Sequence, residues 1–212
     1  MGRSFAAVEV HHPRANRGQE VPLSALLVGR KIAAVARRGK FMWLEFADED
    51  HTDPARDVLF IHLGMSGQVR IGEVDSPHVR IAAVLDDATR LSFVDQRTFG
   101  YWRLGPWLTM AHIAPDPLET DFDLTAAGRR LRAKRTAVKV ALLDQTVLSG
   151  VGNIYADEAL WAAQISPLKK ASALRQRDAV AVISAAGDVM RAALAVGGTS
   201  SVSYTHLTLP TT

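Results

Sequence analysis

A change of hydrophobic period near Pro115-Asp116-Pro117 constrains this 212-residue chain more than any other feature of it. Before that link, short runs rich in β-branched and aromatic residues alternate with polar ones between glycine-bearing turns, the period-2 pattern of half-buried strands. The candidate strands are Phe5 to Val10, Lys31 to Ala36, Phe41 to Phe46, Val58 to Leu63, Val69 to Ile71, Val79 to Leu85 and Arg90 to Val94. Short strands at this density predict a sandwich or barrel. After the link the apolar positions recur with the helical period of about 3.6 residues. Helices are predicted at Leu124 to Ala133, Ala137 to Leu143, Asn153 to Gln164 and from about Leu174 to Val196. The fold class is therefore α+β, a β-sandwich over residues 1–114 followed by a helical domain over 115–200.

Local signals support the helical half. Asp123 and Asn153 suit N-caps and Gly197-Gly198 suits a helix stop. Between the second and third helices, Thr146-Val147-Leu148-Ser149-Gly150-Val151-Gly152 carries two glycines that permit consecutive tight turns. The result is helix, two turns, helix. Residues 201–212 change abruptly to uncharged threonine and leucine and are expected to be a non-native or disordered tail.

Composition narrows the partners. At 48% hydrophobic residues the chain can build a core, yet no apolar run approaches the roughly 20 residues that cross a bilayer. The charged start leads into no signal-peptide stretch, so a cytoplasmic setting without membrane contact is expected. The absence of cysteine rules out disulfides and removes the commonest ligands of structural zinc. Net charge is only +3, but basic residues cluster at Arg37-Arg38-Gly39-Lys40, at Arg129-Arg130 with Arg132, and at Lys134-Arg135. A polyanionic partner is permitted, though such clusters also serve as solvated faces.

Four segments can carry chemistry. Gly150-Val151-Gly152-Asn153-Ile154-Tyr155 puts a glycine turn before a helix start, where unpartnered amides receive phosphate; Asn153 either caps that helix or turns its amide toward an anion. Lys40 would project from the start of a strand, as a point charge for a passing backbone or merely as a solubilising group. His62-Leu63-Gly64-Met65-Ser66-Gly67 places an unbranched methionine on a glycine-flanked turn, as a plug or as core filler. Asp95-Gln96-Arg97-Thr98-Phe99-Gly100 sets a cation and an aromatic two residues apart, as a wedge or as a buried phenyl ring beside a surface arginine. Enzymes that extrude a base from a duplex fill the vacancy with such side chains.

Taken together, Arg-Arg-Gly-Lys-Phe, His-Leu-Gly-Met-Ser-Gly, Asp-Gln-Arg-Thr-Phe-Gly and Leu-Leu-Asp-Gln-Thr-Val-Leu-Ser-Gly-Val-Gly-Asn-Ile-Tyr resemble the formamidopyrimidine-DNA glycosylases in order and spacing, from about Arg3 to Ser200. The resemblance implies a β-sandwich followed by a helix-two-turn-helix domain. It implies base-excision repair of oxidised purines, 8-oxoguanine and formamidopyrimidines, in duplex DNA, with abasic-site lyase activity. It assigns Lys40, His62 and Asn153 to phosphates around the flipped nucleotide, and Met65, Arg97 and Phe99 to the vacated space and the unpaired cytosine. Lys139 and Glu158 would lie near the lesion pocket.

Two family features have no counterpart here. The attacking amine is the family's N-terminal proline, beside a glutamate that moves protons, whereas this chain opens Met1-Gly2-Arg3-Ser4-Phe5. The family also carries a four-cysteine zinc finger, and this chain has no cysteine. The expectation is a monomeric chain, cut short at both ends, with no catalytic residue assigned and no metal bound, that recognises damaged DNA without competent catalysis. Borohydride trapping on duplex with 8-oxoguanine opposite cytosine tests that expectation. A noncatalytic damaged-DNA-binding module is the alternative. A third reading, an RNA-binding or purely structural role, would gain if Met65, Arg97 and Phe99 were buried.

Overall fold

A computed structural model describes residues 2–196, and chain contacts divide it into two compact units, one up to Ala111 and one from His112. The expected stop at Gly197-Gly198 and the 201–212 tail lie outside the described residues.

Among the described residues the first unit contains strands β1 (Phe5–Val10), β2 (Ile32–Arg38), β3 (Phe41–Phe46), β4 (Asp57–His62), β5 (Gln68–Ile71), β6 (Val79–Leu85), β7 (Arg90–Val94) and β8 (Tyr101–Pro106), with a short helix α1 (Leu23–Leu27). They form two antiparallel sheets, β1-β6-β7-β5 and β2-β3-β4-β8. The inward residues Phe5, Phe46, Leu59, Ile61, Ile81, Phe93 and Trp102 make the core between them, and Leu23 and Leu27 of α1 join it. The sequence pattern missed β8 and α1. Gly105 and Pro106 break the alternation of β8, and α1 is too short to display a helical period.

Two chain crossings between the sheets lie at the same end. β4 belongs to one sheet and β5 to the other, so residues 63–67 cross over; β7 and β8 are likewise split, so residues 95–100 cross back. The register places the ends together, with His62 opposite Tyr101 and Gln68 opposite Val94. Glycine permits the contact. A Cβ on Gly64, whose φ is +63°, would stand 2.8 Å from the Gly100 nitrogen, and one on Gly100 would stand 2.7 Å from the His62 carbonyl oxygen. Both approaches are closer than a side chain tolerates.

Among the described residues the second unit contains helices α2 (Leu124–Arg132), α3 (Val138–Leu143), α4 (Asn153–Ala162) and α5 (Gln176–Ala195) around Leu131, Val138, Leu142, Leu148, Val151, Leu160, Val182 and Ile183. Asp123 caps α2 as expected, its Oδ1 accepting the Ala126 amide at 2.8 Å. The expected ends of α4 and α5 shift inward. Gln164 adopts a left-handed φ of 54° just beyond α4, and residues 171–173 form a separate 3-10 turn before α5 begins at Gln176. None of these helices is long and apolar enough to cross a membrane, among the described residues.

Candidate nucleic-acid interface

In the first unit the β2–β3 hairpin closes on Gly39 and Lys40, since Arg38 pairs with Phe41 and Gly39 takes a positive φ of 56°. Lys40 therefore sits in the turn itself, directly before the strand that begins at Phe41, and is exposed. Strand pairing sets Phe41 opposite His62 and His62 opposite Tyr101. The imidazole stacks on Tyr101, with ring centroids 5.2 Å apart and planes 16° from parallel. The Arg17 guanidinium lies over the other ring of this pair, 5.4 Å from the Tyr101 centroid. Burial, then the positive charges of Lys40 and Arg17, push the His62 pKa below its usual 6.5. His62 is therefore neutral near pH 7, and its Nδ1 accepts the Gly64 amide at 3.2 Å. That leaves Nε2 as the N–H donor. A neutral donor flanked by two cations suits an anionic oxygen.

The two sheet crossings carry the remaining candidates. Met65 is 73% exposed and Phe99 is 47% exposed, values that no core filler shows. Arg97 is exposed too, and its Nη1 lies 3.7 Å from the Met65 sulfur. These three residues converge on the surface, against the reading in which Phe99 is buried. Beneath them lies Asp95, fully buried, which sequence reasoning did not single out. Its Oδ1 accepts the Ser66 hydroxyl at 2.6 Å and the Arg97 amide at 3.2 Å, and its Oδ2 accepts the Gly100 amide at 2.7 Å. Desolvation pushes its pKa up, but the hydrogen bonds from Ser66, Gly100, Arg97 and Phe99 outweigh it and hold the carboxylate below its usual range. A polar residue directly after an apolar strand end was the available signal.

In the second unit the turns between α3 and α4 are organised by Gln145. Its Nε2 donates to the Leu143 and Val151 carbonyls at 2.8 and 3.1 Å, while its Oε1 accepts the Gly150 amide at 3.0 Å. Asp144 secures the same link by accepting from Thr146 and Lys134. The N-cap of α4 is Gly152, not Asn153, and no side chain caps that helix. Asn153 is instead the first helical residue, with its side chain exposed, so the capping role expected for it is not the one it plays. The amides of the first turn thus point outward beside an uncommitted carboxamide. Lys139 on α3 pairs with Asp157, Nζ lying 2.8 Å from Oδ1. Glu158 is the next residue along α4 and half-buried.

The chain contains no cysteine, and among the described residues no group of three or more His, Cys, Asp or Glu can hold a metal ion. These residues do not fit a four-cysteine zinc site.

Comparison with known proteins covers both units. The formamidopyrimidine-DNA glycosylase N-terminal domain model matches residues 1–102, and the formamidopyrimidine-DNA glycosylase H2TH domain model matches residues 113–205. A formamidopyrimidine-DNA glycosylase of Corynebacterium aurimucosum is 96% identical over 200 residues, covering 94% of this chain and 71% of that protein. One from Mycobacterium ulcerans is 48% identical, covering 94% of this chain and 74% of that protein. Among solved structures, the MutM (Fpg) protein of Thermus thermophilus superposes with a TM-score of 0.77 at 33% identity, covering 94% of this chain and 71% of that one. The Lactococcus lactis formamidopyrimidine-DNA glycosylase bound to DNA with an abasic site gives 0.78 at 29% identity, covering 94% and 76%.

Proposed function

The chain belongs to the formamidopyrimidine-DNA glycosylase family, base-excision repair enzymes acting on oxidised purines in DNA, and from that premise we propose how its own residues engage a damaged duplex. Lys40 and His62 hold backbone phosphates on the first unit. The exposed Asn153 carboxamide and the free amides at the start of α4 hold a phosphate on the second. Met65, Arg97 and Phe99 enter the space left by an extruded nucleotide, the methionine and phenyl ring replacing lost stacking and the guanidinium donating to the unpaired cytosine. Lys139 and Glu158 stand near the lesion pocket, with Lys139 oriented by Asp157. Lesion-containing duplex DNA, as in the Lactococcus lactis complexes with abasic-site and FAPY-dG DNA, is the partner. The monomeric, cytoplasmic state belongs to the same proposal, as do a sandwich domain over 1–114 and a helix-two-turn-helix domain over 115–200. No residue is assigned as the attacking amine.

The observation that carries this reading is the exposure of Met65, Arg97 and Phe99 together on two adjacent crossings. A folded protein exposes a methionine and a phenyl ring on glycine-framed turns at a cost in solvation, which a ligand surface explains. The test compares binding to duplex bearing 8-oxoguanine opposite cytosine with binding to the same duplex bearing guanine. Tighter binding to the lesion, reduced by Met65→Ala and by Phe99→Ala, is expected. Equal affinity for the two duplexes contradicts the proposal.

A further inference from the structure

We infer that Asp95 is a positioning residue that joins the Met65 crossing and the Arg97–Phe99 crossing into one wedge, and thereby sets how strongly the protein distinguishes the base opposite a lesion. This rests on the wedge reading above. Residues 63–67 and 95–100 are separate corners of the sandwich, and neither belongs to a strand. Besides the close backbone approach at Gly64 and Gly100, side-chain hydrogen bonds join them. The buried carboxylate accepts the Ser66 hydroxyl from one corner and the Arg97 and Gly100 amides from its own. From below, Arg80 Nε donates to the Asp95 carbonyl at 2.7 Å, which fixes the backbone from which the carboxylate projects.

The arrangement requires an acceptor on both oxygens. An asparagine offers one acceptor oxygen and would turn an NH2 toward either Ser66 and the Arg97 amide or the Gly100 amide. The contact between Arg97 Nη1 and the Met65 sulfur exists only while the two corners keep their register. Thr98, held at a positive φ of 54°, makes the second corner tight enough to present Arg97 and Phe99 on either side of it. Asp95 itself is fully buried and offers nothing to a duplex directly. Its influence passes through the alignment of the three exposed side chains, and a displacement of about 1 Å is enough to weaken a site that depends on precise geometry.

The experiment measures binding of the full chain to three duplexes by fluorescence anisotropy: a tetrahydrofuran abasic analogue opposite cytosine, the same analogue opposite adenine, and an undamaged control. Variants are Ser66→Ala, which removes one link and leaves the second corner intact, Ser66→Thr, which keeps the hydroxyl, Asp95→Asn, and Met65→Ala as a check on the wedge itself. Ser66→Ala and Asp95→Asn are expected to lower the cytosine-over-adenine ratio by about fivefold or more, the loss of roughly one well-aligned contact. Affinity for the undamaged duplex and its salt dependence should stay unchanged, and Ser66→Thr should restore the ratio. A ratio preserved in Ser66→Ala while Met65→Ala lowers lesion preference overturns the role of Asp95 and leaves the wedge standing. Lesion preference unchanged in Met65→Ala overturns the wedge and this inference with it.

Discussion

The imidazole of His62 lies face to face with the Tyr101 ring, at a centroid separation of 5.2 Å. The pairing follows from their opposed positions on β4 and β8, and it shields one side of a ring whose pKa is already lowered by burial, Lys40 and Arg17. A phosphate brought to His62 would pull that pKa back up, so binding takes up a proton in the window just below 6.5. DNA affinity at constant ionic strength should therefore rise as pH falls through that window, and His62→Gln should remove the rise. In the free protein the sign is opposite for folding: the depressed pKa lowers stability as pH falls through the same window. A pH-independent affinity in the parent protein would contradict the assignment.

Lys40 makes a purely electrostatic prediction. Replacing it with alanine should weaken binding to all duplex sequences alike and reduce the slope of log affinity against log salt by about 0.9, one phosphate contact. A salt titration with an unchanged slope rules out the contact.

Asp144 ties the inter-helix turn to Lys134 and Thr146. The Lys134 ammonium, working against partial desolvation and helped by Thr146, holds its carboxylate down to about 2. A depressed carboxylate pKa contributes stability above the unfolded value of 3.8 and loses it as pH falls toward 2. With both side chains about one-third exposed, solvent screening leaves about 1 kcal/mol. Asp144→Asn should cost that much in urea denaturation at pH 7 and almost nothing at pH 2. An equal loss at both values would place the effect elsewhere.

Gln145 presents a sharper case, because all its side-chain hydrogen-bonding groups are engaged in the turns. Gln145→Ala leaves the Gly150 amide and the Val151 carbonyl to find new partners, a loss of about 1–3 kcal/mol. Gln145→Glu should be worse, since it replaces two donations to carbonyls with a charged acceptor. Denaturation curves in which the glutamate variant matches the parent would contradict this account of the turns.

Glycine spacing at the crossings can be tested by adding a single methyl group. A Cβ on Gly100 would meet Phe93 Cζ at 2.5 Å, whereas one on Gly152 would meet nothing within 4 Å. Gly100→Ala should lower stability by about 1–3 kcal/mol and Gly152→Ala by less than about 0.5 kcal/mol. Similar thermal shifts in the two variants would show that the crossings are not closely packed.

Much of this arrangement was legible in the residues. Alternation gave the strands from Phe5 to Val94 and the helical period gave α2 to α5, because both are local consequences of which side chains face a core. Tertiary pairing was not local. β8 ends on a glycine and a proline, Gly105-Pro106, and only its register beside β4 makes it a strand. The candidates Lys40, His62, Met65, Arg97, Phe99, Lys139, Asn153 and Glu158 came from motifs. The groups that hold them, Asp95 beneath the two crossings, Tyr101 against His62, Gln145 within the turns and Asp157 beside Lys139, became visible only when separated segments met. Asn153 shows the limit clearly: an asparagine after glycine reads as a cap, and the backbone makes Gly152 the cap instead.

The most direct test of the central claim is the affinity ratio between duplex with a tetrahydrofuran site opposite cytosine and the same duplex undamaged, measured for the parent chain and for Met65→Ala with Phe99→Ala. Filling the vacated stack by these side chains contributes about 1–3 kcal/mol per stacked base, so the parent should favour the damaged duplex by about tenfold or more and the double variant should lose most of that preference. A parent chain that binds both duplexes equally, or a double variant that keeps the full preference, would contradict the account.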